Sequence, residues 1–330
     1  MNVELCTEPT VWDEIIYDLA GHPLQLWGWG ELKAAHNWKA YRLIVTNERK
    51  EVIGTAQILT RPLPAPFSRM SYIPRGPATV HDRDLVPVLD AISTYVKKHL
   101  GGTVLTVEPD RIEWPSSAKG WVKSPNTILI PRTLILDLNK SEEELLSDMA
   151  KKTRQYIRKS EREGVTITRL RTREEITSCL RIYRETAARA GFALHSDDYY
   201  IDLHEMMGES SVVFAATENN HLVAFLWLAV SSQTAFELYG GMTDRGQSTR
   251  ANYTLKWHAI RRCKEWGITR YDMNGLLNDG VSTFKMSFAS HEDMLVGTYD
   301  YPLSPLYGTW SKSLPAAKKI VRRLKSLRKP

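Results

Sequence analysis

The chain has 330 residues, 42% hydrophobic and 25% charged, the balance of a packed soluble protein, and at roughly 150 residues per domain its length predicts two domains. Its longest apolar stretches, such as HLVAFLWLAV (221–230), are far shorter than the ~20 residues that cross a bilayer, so no membrane span is expected. The net charge of +6 is 44 basic against 38 acidic residues; the last twenty residues hold eight Lys or Arg and no acid, leaving the other 310 at 36 minus 38, or −2.

The start, MNVELCTEPTVWDEII, lacks the basic n-region and apolar core of a signal peptide, which predicts a cytoplasmic protein. Next come two helical stretches, VWDEIIYDLAG (11–21) and LWGWGELKAAHNW (26–38). YRLIVTNERKEVIGTAQILT (41–60) reads as strand, polar turn, strand, and MSYIPRGPAT (70–79) follows. DLVPVLDAISTYVKKHL (84–100) is helix-like and TVLTVEP (103–109) is a buried-type strand.

The same order then recurs. REEITSCLRIYRETAARAG (173–191) is helical, SVVFAATENNHLVAFLWLAV (211–230) is strand, turn, strand, and TAFELYGGMT (234–243) follows. Helix-like ANYTLKWHAIRRCKEWG (251–267) leads to the strand TRYDMNG (269–275). Few residues are identical, but the repeated order predicts a duplicated α/β unit of the acetyltransferase-like (GNAT) kind. LILDLNKSEEELLSDM (134–149) passes from a strand through an Asn/Ser helix start with acids in its first turn, so the boundary is expected near Leu138 to Ser141. The expected organisation is GNAT-like domain 1 over 1–140, GNAT-like domain 2 over 141–310, and a basic amphipathic tail over 311–330.

Cys6, Cys179 and Cys263 are odd in number and scattered, which fits reduced structural thiols. The nine histidines are scattered without ligand spacing, so no metal is expected. KKTRQYIRKSERE (151–163) holds six basic residues in thirteen; such clusters suit phosphate-rich partners, with a solvated helix face as the plain alternative. VSTFKMSF (281–288) sets Lys285 between Phe284 and Met286 in a run with no other charge, either as a holder of an anion or as an ordinary solvated lysine.

Several stretches together, WGWGELKAAHNWKAYRLIV, YIPRGP, KKTRQYIRKSEREGV, ETAARAGF, YDMNG, FKMSF and VGTYDYPLSP, resemble the FemABX peptidyltransferases. That family carries amino acids from aminoacyl-tRNA onto peptidoglycan precursors. The match runs in order from about Trp27 to Pro305. The resemblance implies two tandem GNAT-like domains, here without the long antiparallel helical arm of some members. It also implies a monomer with no cofactor that meets aminoacyl-tRNA and a precursor, either UDP-MurNAc-pentapeptide or a lipid-linked form, in the cytoplasm. The missing arm leans towards the soluble acceptor.

The reaction implied is aminolysis of an ester, which needs a deprotonated amine, a stabilised oxyanion and two anionic substrates held in register. By resemblance Lys285 faces the reacting carbonyl, and Phe284 stacks on substrate or packs. Glu108, at a strand end, accepts a proton or orients the amine unless it is a solvated loop acid. Lys33 contacts acceptor phosphates, and Arg75 either clamps phosphate or is an ordinary loop arginine. Tyr199 and Tyr239 line the acceptor segment. His195 stands where compact members carry a phosphate-contacting arginine, a departure that leaves a small peptide natural product as an alternative acceptor. Asp272 and Gly275 are expected to shape a strand end.

Lys151, Lys152, Arg154, Arg158 and Lys159 are expected to receive tRNA, giving a steep salt dependence. The tail, with Ile320, Val321, Leu324 and Leu327 at helical spacing, binds either tRNA or an anionic membrane peripherally. Two rivals stand against this reading. An acyl-CoA enzyme would need the glycine-rich turn R/Q-x-x-G-x-G/A, where this chain has DRGQSTRANYTL (244–255). A non-catalytic tRNA- or membrane-binding protein would need neither Lys285 nor Glu108.

Overall fold

The computed structural model describes residues 1–277 and 279–315. The chain forms two compact units. Unit 1 comprises Met1–Trp12, Lys33–Pro131 and the chain from Leu295 on; unit 2 comprises Asp13–Leu32 and Arg132–Met294.

The sheet of unit 1 contains β1 (Asn2–Leu5), β2 (Lys39–Thr46), β3 (Val52–Pro62), β4 (Arg69–Pro74), β5 (Ala78–Thr79), β6 (Val104–Glu108), β7 (Val122–Lys123) and β16 (Tyr299–Pro302). Its main order is β1-β2-β3-β4-β6-β16-β7, antiparallel except for the central pair β4 and β6. Unit 2 uses β9 (Ile135–Asp137), β10 (Thr166–Leu170), β11 (Ser211–Glu218), β12 (His221–Val230), β13 (Thr234–Met242) and β14 (Arg270–Asp272) in the order β10-β11-β12-β13-β14-β9. It too is antiparallel except for one pair, β13 and β14. Two short strands, β8 (Arg132–Thr133) and β15 (Asp293–Met294), pair separately.

The repeat read in the sequence is therefore a repeat of topology: three antiparallel pairings, one parallel pairing, then an antiparallel closing strand. The units nevertheless differ from the contiguous segments 1–140 and 141–310. β9 follows β6 in the chain but closes the sheet of unit 2 on β14, whereas β16 follows β14 but closes the sheet of unit 1 on β6. Each repeat thus takes its last strand from beyond its own stretch of sequence.

In unit 1 the crossover helix α3 (Leu85–Tyr95) covers one face of the sheet. Leu43, Val45, Ala56, Ile58, Ile73, Leu105 and Val107 alternate along the strands and pack against Leu85, Val88, Leu89 and Ile92 of α3. Period-two alternation sends the intervening residues to the other face. That face is buried yet polar, with Arg42, Gln57, Tyr72, Thr106, Glu108 and Asp300; Arg42 Nε donates to Gln57 Oε1 at 3.0 Å. The leading helices α1 (Pro9–Asp18) and α2 (Trp27–Ala35) lie between β1 and β2, but residues 13–32 pack in unit 2. A Cβ on Gly28 would overlap the backbone carbonyl oxygen of Met206, so only glycine lets α2 begin there.

In unit 2 the helices are α4 (Glu142–Asp148), α5 (Lys151–Arg162), α6 (Arg173–Ala190), α7 (Asp197–Met207), α8 (Asp244–Ser248), α9 (Ala251–Glu265) and α10 (Gly280–Met286). The Asn/Ser start is realised at α4, where Ser141 and Glu144 form a capping box. Asn219 and Asn220, both at left-handed φ, turn β11 into β12. Leu255, Ala259, Ile260 and Cys263 of α9 pack with Phe214, Ala224, Leu226, Leu228 and Ala235 on one sheet face, and α6 and α7 cover the other. Among the described residues the longest helix is α6, of 18 residues, and no helix is long and apolar enough to cross a membrane. Residues 307–315 are helical. The expected amphipathic pattern at Ile320, Val321, Leu324 and Leu327 lies outside the described residues.

Candidate active site

In each unit the parallel strands part at the same register. β4 and β6 pair to Pro74 opposite Glu108, and β13 and β14 pair to Phe236 opposite Asp272. Both strands end in a buried acid. Glu108 is 1% exposed and Asp272 0%.

Glu108 accepts from Tyr72 OH at 2.5 Å, from Thr298 Oγ1 at 2.5 Å, and from the amides of Ile128 and Leu129 at 2.9 and 3.0 Å. Burial, and then the neighbouring Glu108 charge, push the Tyr72 phenol well above its ordinary range. Asp272 accepts from Thr133 Oγ1 at 2.5 Å and from the Asn274 amide at 2.8 Å. Thr298 immediately precedes β16 and Thr133 closely precedes β9, so in both units the acid binds a threonine hydroxyl from the segment leading into the closing strand. This corrects one expectation for Glu108: it is not a solvated loop acid but a buried one, held by neutral donors of the fold. Asp272 shapes the strand end as expected.

One residue beyond the last parallel pair, the units diverge. Unit 1 has Arg75, at left-handed φ before a cis Gly76–Pro77 bond, a residue 3% exposed whose charge opposes the rise in the Tyr72 pKa. It is a buried arginine, not an ordinary loop one. Unit 2 has Glu237. Lys256 of α9 donates to both Glu237 oxygens at 2.6 and 2.8 Å, and Tyr271 OH donates to Oε1 at 2.8 Å. Burial pulls the Lys256 ammonium below its ordinary pKa; Glu237 opposes the shift and the Lys285 charge adds to it.

Beyond the parting, Asn274 Nδ2 donates to the Glu237 backbone carbonyl at 3.0 Å. Lys285 Nζ donates to the backbone carbonyls of Asn274 and Gly275, each at 3.3 Å. Lys285 is half-buried on α10, a helix started by Asp279, whose carboxylate accepts the Ser282 amide at 2.8 Å. An ammonium has three donors. Lys285 uses two of them in long bonds to neutral acceptors, which a developing oxyanion would outcompete. Phe284 packs, with its ring 4.9 Å from Tyr253 and 5.3 Å from Phe288.

Tyr199, His195 and Tyr239 come together in unit 2. His195 stacks on Tyr199 with centroids 4.0 Å apart, and Tyr199 and Tyr239 are hydrogen-bonded through their side chains. Burial raises the Tyr199 phenol to about 12. Tyr200 lies edge-on to Tyr239 at 5.1 Å, and its OH accepts the His195 amide at 3.1 Å. Register explains the grouping. Trp227 pairs with Tyr239 but Leu228 with Glu237, so a bulge falls at residue 238. The extra residue breaks the alternation, sending Glu237 towards α9 and Tyr239 towards α6 and α7.

The basic stretch forms α5. Lys151, Lys152, Arg158 and Lys159 are exposed, with Lys159 3.4 Å from Glu163. Arg154 is corrected: its Nη1 donates to the carbonyls of Leu146, Ser147 and Met149, closing the C-terminal end of α4. The Ala150 amide donates to the Ser287 carbonyl at 3.0 Å, which fastens the Lys151–Lys152 end of α5 to the end of α10 that carries Lys285. Lys33, near the end of α2, is half-buried, and burial lowers its pKa to about 8.

The turn where an acyl-CoA pyrophosphate would bind is filled by the short helix α8. A Cβ on its Gly246 would overlap the Val223 carbonyl oxygen, so this glycine serves packing. Among the described residues no three His, Cys, Asp or Glu side chains converge as metal ligands. Sequence reasoning missed Lys256, Glu237 and Tyr271. Their signal was a lysine four residues before Ile260 and seven before Cys263, on the core face of α9, and an acid inside an otherwise apolar strand.

Comparison with known proteins follows the same outline. A model described as the FemAB family matches residues 17–131, 117–221 and 215–313. The lipid II:glycine glycyltransferase of Staphylococcus saprophyticus is 22% identical over 397 aligned positions, covering 92% of this chain and 95% of that protein. Its counterpart from Staphylococcus aureus strain USA300 is 22% identical with the same coverage. The alignments exceed the 330 residues of this chain, so those proteins carry segments that it lacks. A crystal structure of FemX superposes with TM-score 0.83 at 18% identity, covering 94% of this chain and all of that one. A tandem GNAT protein from the clavulanic acid pathway gives 0.51 at 10% identity, with 92% and 99% coverage.

Proposed function

Because the chain belongs to the FemAB family, we propose that it is an aminoacyltransferase that moves an amino acid from aminoacyl-tRNA to the stem-peptide amine of a peptidoglycan precursor, extending an interpeptide bridge. The observation that carries this reading is Lys285, a half-buried ammonium on two weakly held carbonyls just beyond the parting of β13 and β14. The amine nitrogen attacks the ester carbonyl and a C–N bond forms. The tetrahedral oxyanion takes up the Lys285 ammonium in place of the carbonyls. The bond to the 3′ oxygen of the tRNA then breaks, and the proton lost by the amine ends on that oxygen. Removing one such oxyanion donor costs about 10² to 10³ in kcat.

Glu108 has no step in this scheme; it holds the segment containing Ile128 and Leu129 to the sheet. Lys33 and Arg75 are read as holding acceptor phosphate, and Tyr199, His195 and Tyr239 as the acceptor wall of unit 2. Lys151, Lys152 and Arg158 are read as meeting the tRNA backbone at the α10 end of α5, which positions the charged 3′ end without reading sequence. Charged tRNA places the reaction in the cytoplasm. His195, stacked on Tyr199 where compact members carry an arginine, favours as a second reading an acceptor without a diphosphate, such as a small peptide.

The test incubates the protein with a mixed pool of charged tRNAs, lipid II and UDP-MurNAc-pentapeptide, and weighs the products. The expected result is a precursor heavier by one or more aminoacyl residues. Unchanged precursors, or a product formed with acyl-CoA in place of charged tRNA, would contradict the proposal.

A further inference from the structure

Lys256, Glu237 and Tyr271 form a buried charged group with no place in the chemistry above. Lys256 is 3% exposed and Glu237 5%. Holding helix to sheet does not require such a pair, since apolar residues of similar volume pack at least as stably. The geometry joins it to Lys285 on two sides. Lys256 Nζ lies 5.0 Å from the ring centroid of Phe284 and 5.6 Å from that of Phe288, the residues that seat the helix carrying Lys285. Glu237 receives Asn274 Nδ2 on its backbone carbonyl, and the Asn274 carbonyl is one of the two that hold Lys285. The support of the lysine and its contacts therefore converge on one ion pair.

The pair also settles which cation the acid holds. Glu237 is a buried carboxylate whose charge is met by Lys256, and Lys285 acts on Lys256 as a second positive charge. With Lys256 gone, the Glu237 carboxylate would keep only the Tyr271 hydroxyl and would draw the Lys285 ammonium off the carbonyls.

We propose that Lys256 is a positioning residue that occupies Glu237 and seats Phe284, so that the Lys285 ammonium stays available to the reacting carbonyl. This rests on the reading of Lys285 as the oxyanion holder.

The test compares Lys256→Met, Lys256→Met/Glu237→Leu, Lys256→Arg and Lys285→Ala, each scored per folded molecule. The probe is the mixed pool of charged tRNAs with lipid II and UDP-MurNAc-pentapeptide. The double variant removes both charges together and keeps the fold measurable should the single variant not fold. Its kcat is expected to fall by about tenfold to a hundredfold, the cost of a small misplacement of a reacting group, with KM for both substrates unchanged. Lys256→Met, which leaves Glu237 to capture Lys285, falls lower still, and Lys256→Arg recovers part of the loss. A double variant with the parent kcat, or a loss confined to KM, overturns the inference. An active Lys285→Ala would instead bring down the reading on which it rests.

Discussion

Glu108 and Asp272 end the corresponding strands of the two units, and each binds a threonine that shortly precedes the strand closing its sheet. One residue past the last parallel pair the units differ: Arg75 stands in unit 1, and Glu237, paired with Lys256, in unit 2. After β14 the chain forms α10 with Lys285, whereas residues 109–121 after β6 form no helix. The repeated feature closes a sheet; the unrepeated one stands at an opening. We read an acid present in both copies, while the candidate oxyanion holder follows only one, as part of the closure.

That contrast can be broken most forcefully at the unrepeated pair. Lys256→Met takes from the buried Glu237 its ion-pair partner, leaving the Tyr271 hydroxyl and a Lys285 drawn out of place, and should cost up to about 3–5 kcal/mol of stability, read from chemical denaturation. The repeated acids come next. Glu108→Gln and Asp272→Asn each turn an acceptor into a part-donor facing other donors, which costs about 1–3 kcal/mol. Both should lower the thermal midpoint while leaving turnover per folded molecule largely intact. If Glu108→Gln removed turnover at an unchanged midpoint, the two acids would not be equivalent and Glu108 would be a base after all.

A smaller effect concerns Lys33. Its folded pKa of about 8 lies below its ordinary 10.5. Below pH 8 the folded and unfolded chains both carry the proton, and the burial cost is present in full. As pH rises from 8 to 10.5 the folded chain sheds it first, so stability increases. Any hold on acceptor phosphate weakens over the same range. KM for UDP-MurNAc-pentapeptide should rise above pH 8 in the parent and stay flat in Lys33→Arg, because arginine keeps its charge. The smallest change is expected on α5. Lys151→Ala and Lys152→Ala should each reduce the slope of log affinity for tRNA against log salt by about 1, whereas Arg154→Ala should act through stability, since its guanidinium closes α4.

The repeat was legible because period-two strands and turn residues recur in order, and the Ser141 helix start because its capping chemistry is local. The exchange of closing strands was not, since β9 and β16 are three and four residues long and pairing of short strands is decided by tertiary partners. Tyr199, Tyr239 and His195 were placed in one group, but the bulge at residue 238 that turns Tyr239 to them leaves no mark in the pattern. The burial of Glu108 was not legible because a strand-end carboxylate looks the same whether it lies in solvent or binds a threonine 190 residues away. Lys256 and Glu237 were missed because a lone lysine on a helix usually faces water, and its partner lies on another element.

The most direct measurement compares Lys285→Ala with the parent in single-turnover transfer and in tRNA binding. A fall of about 10² to 10³ in the transfer rate is predicted, with unchanged affinity for charged tRNA. Equal losses in both, or none in either, would contradict the assignment of Lys285 to the reacting carbonyl.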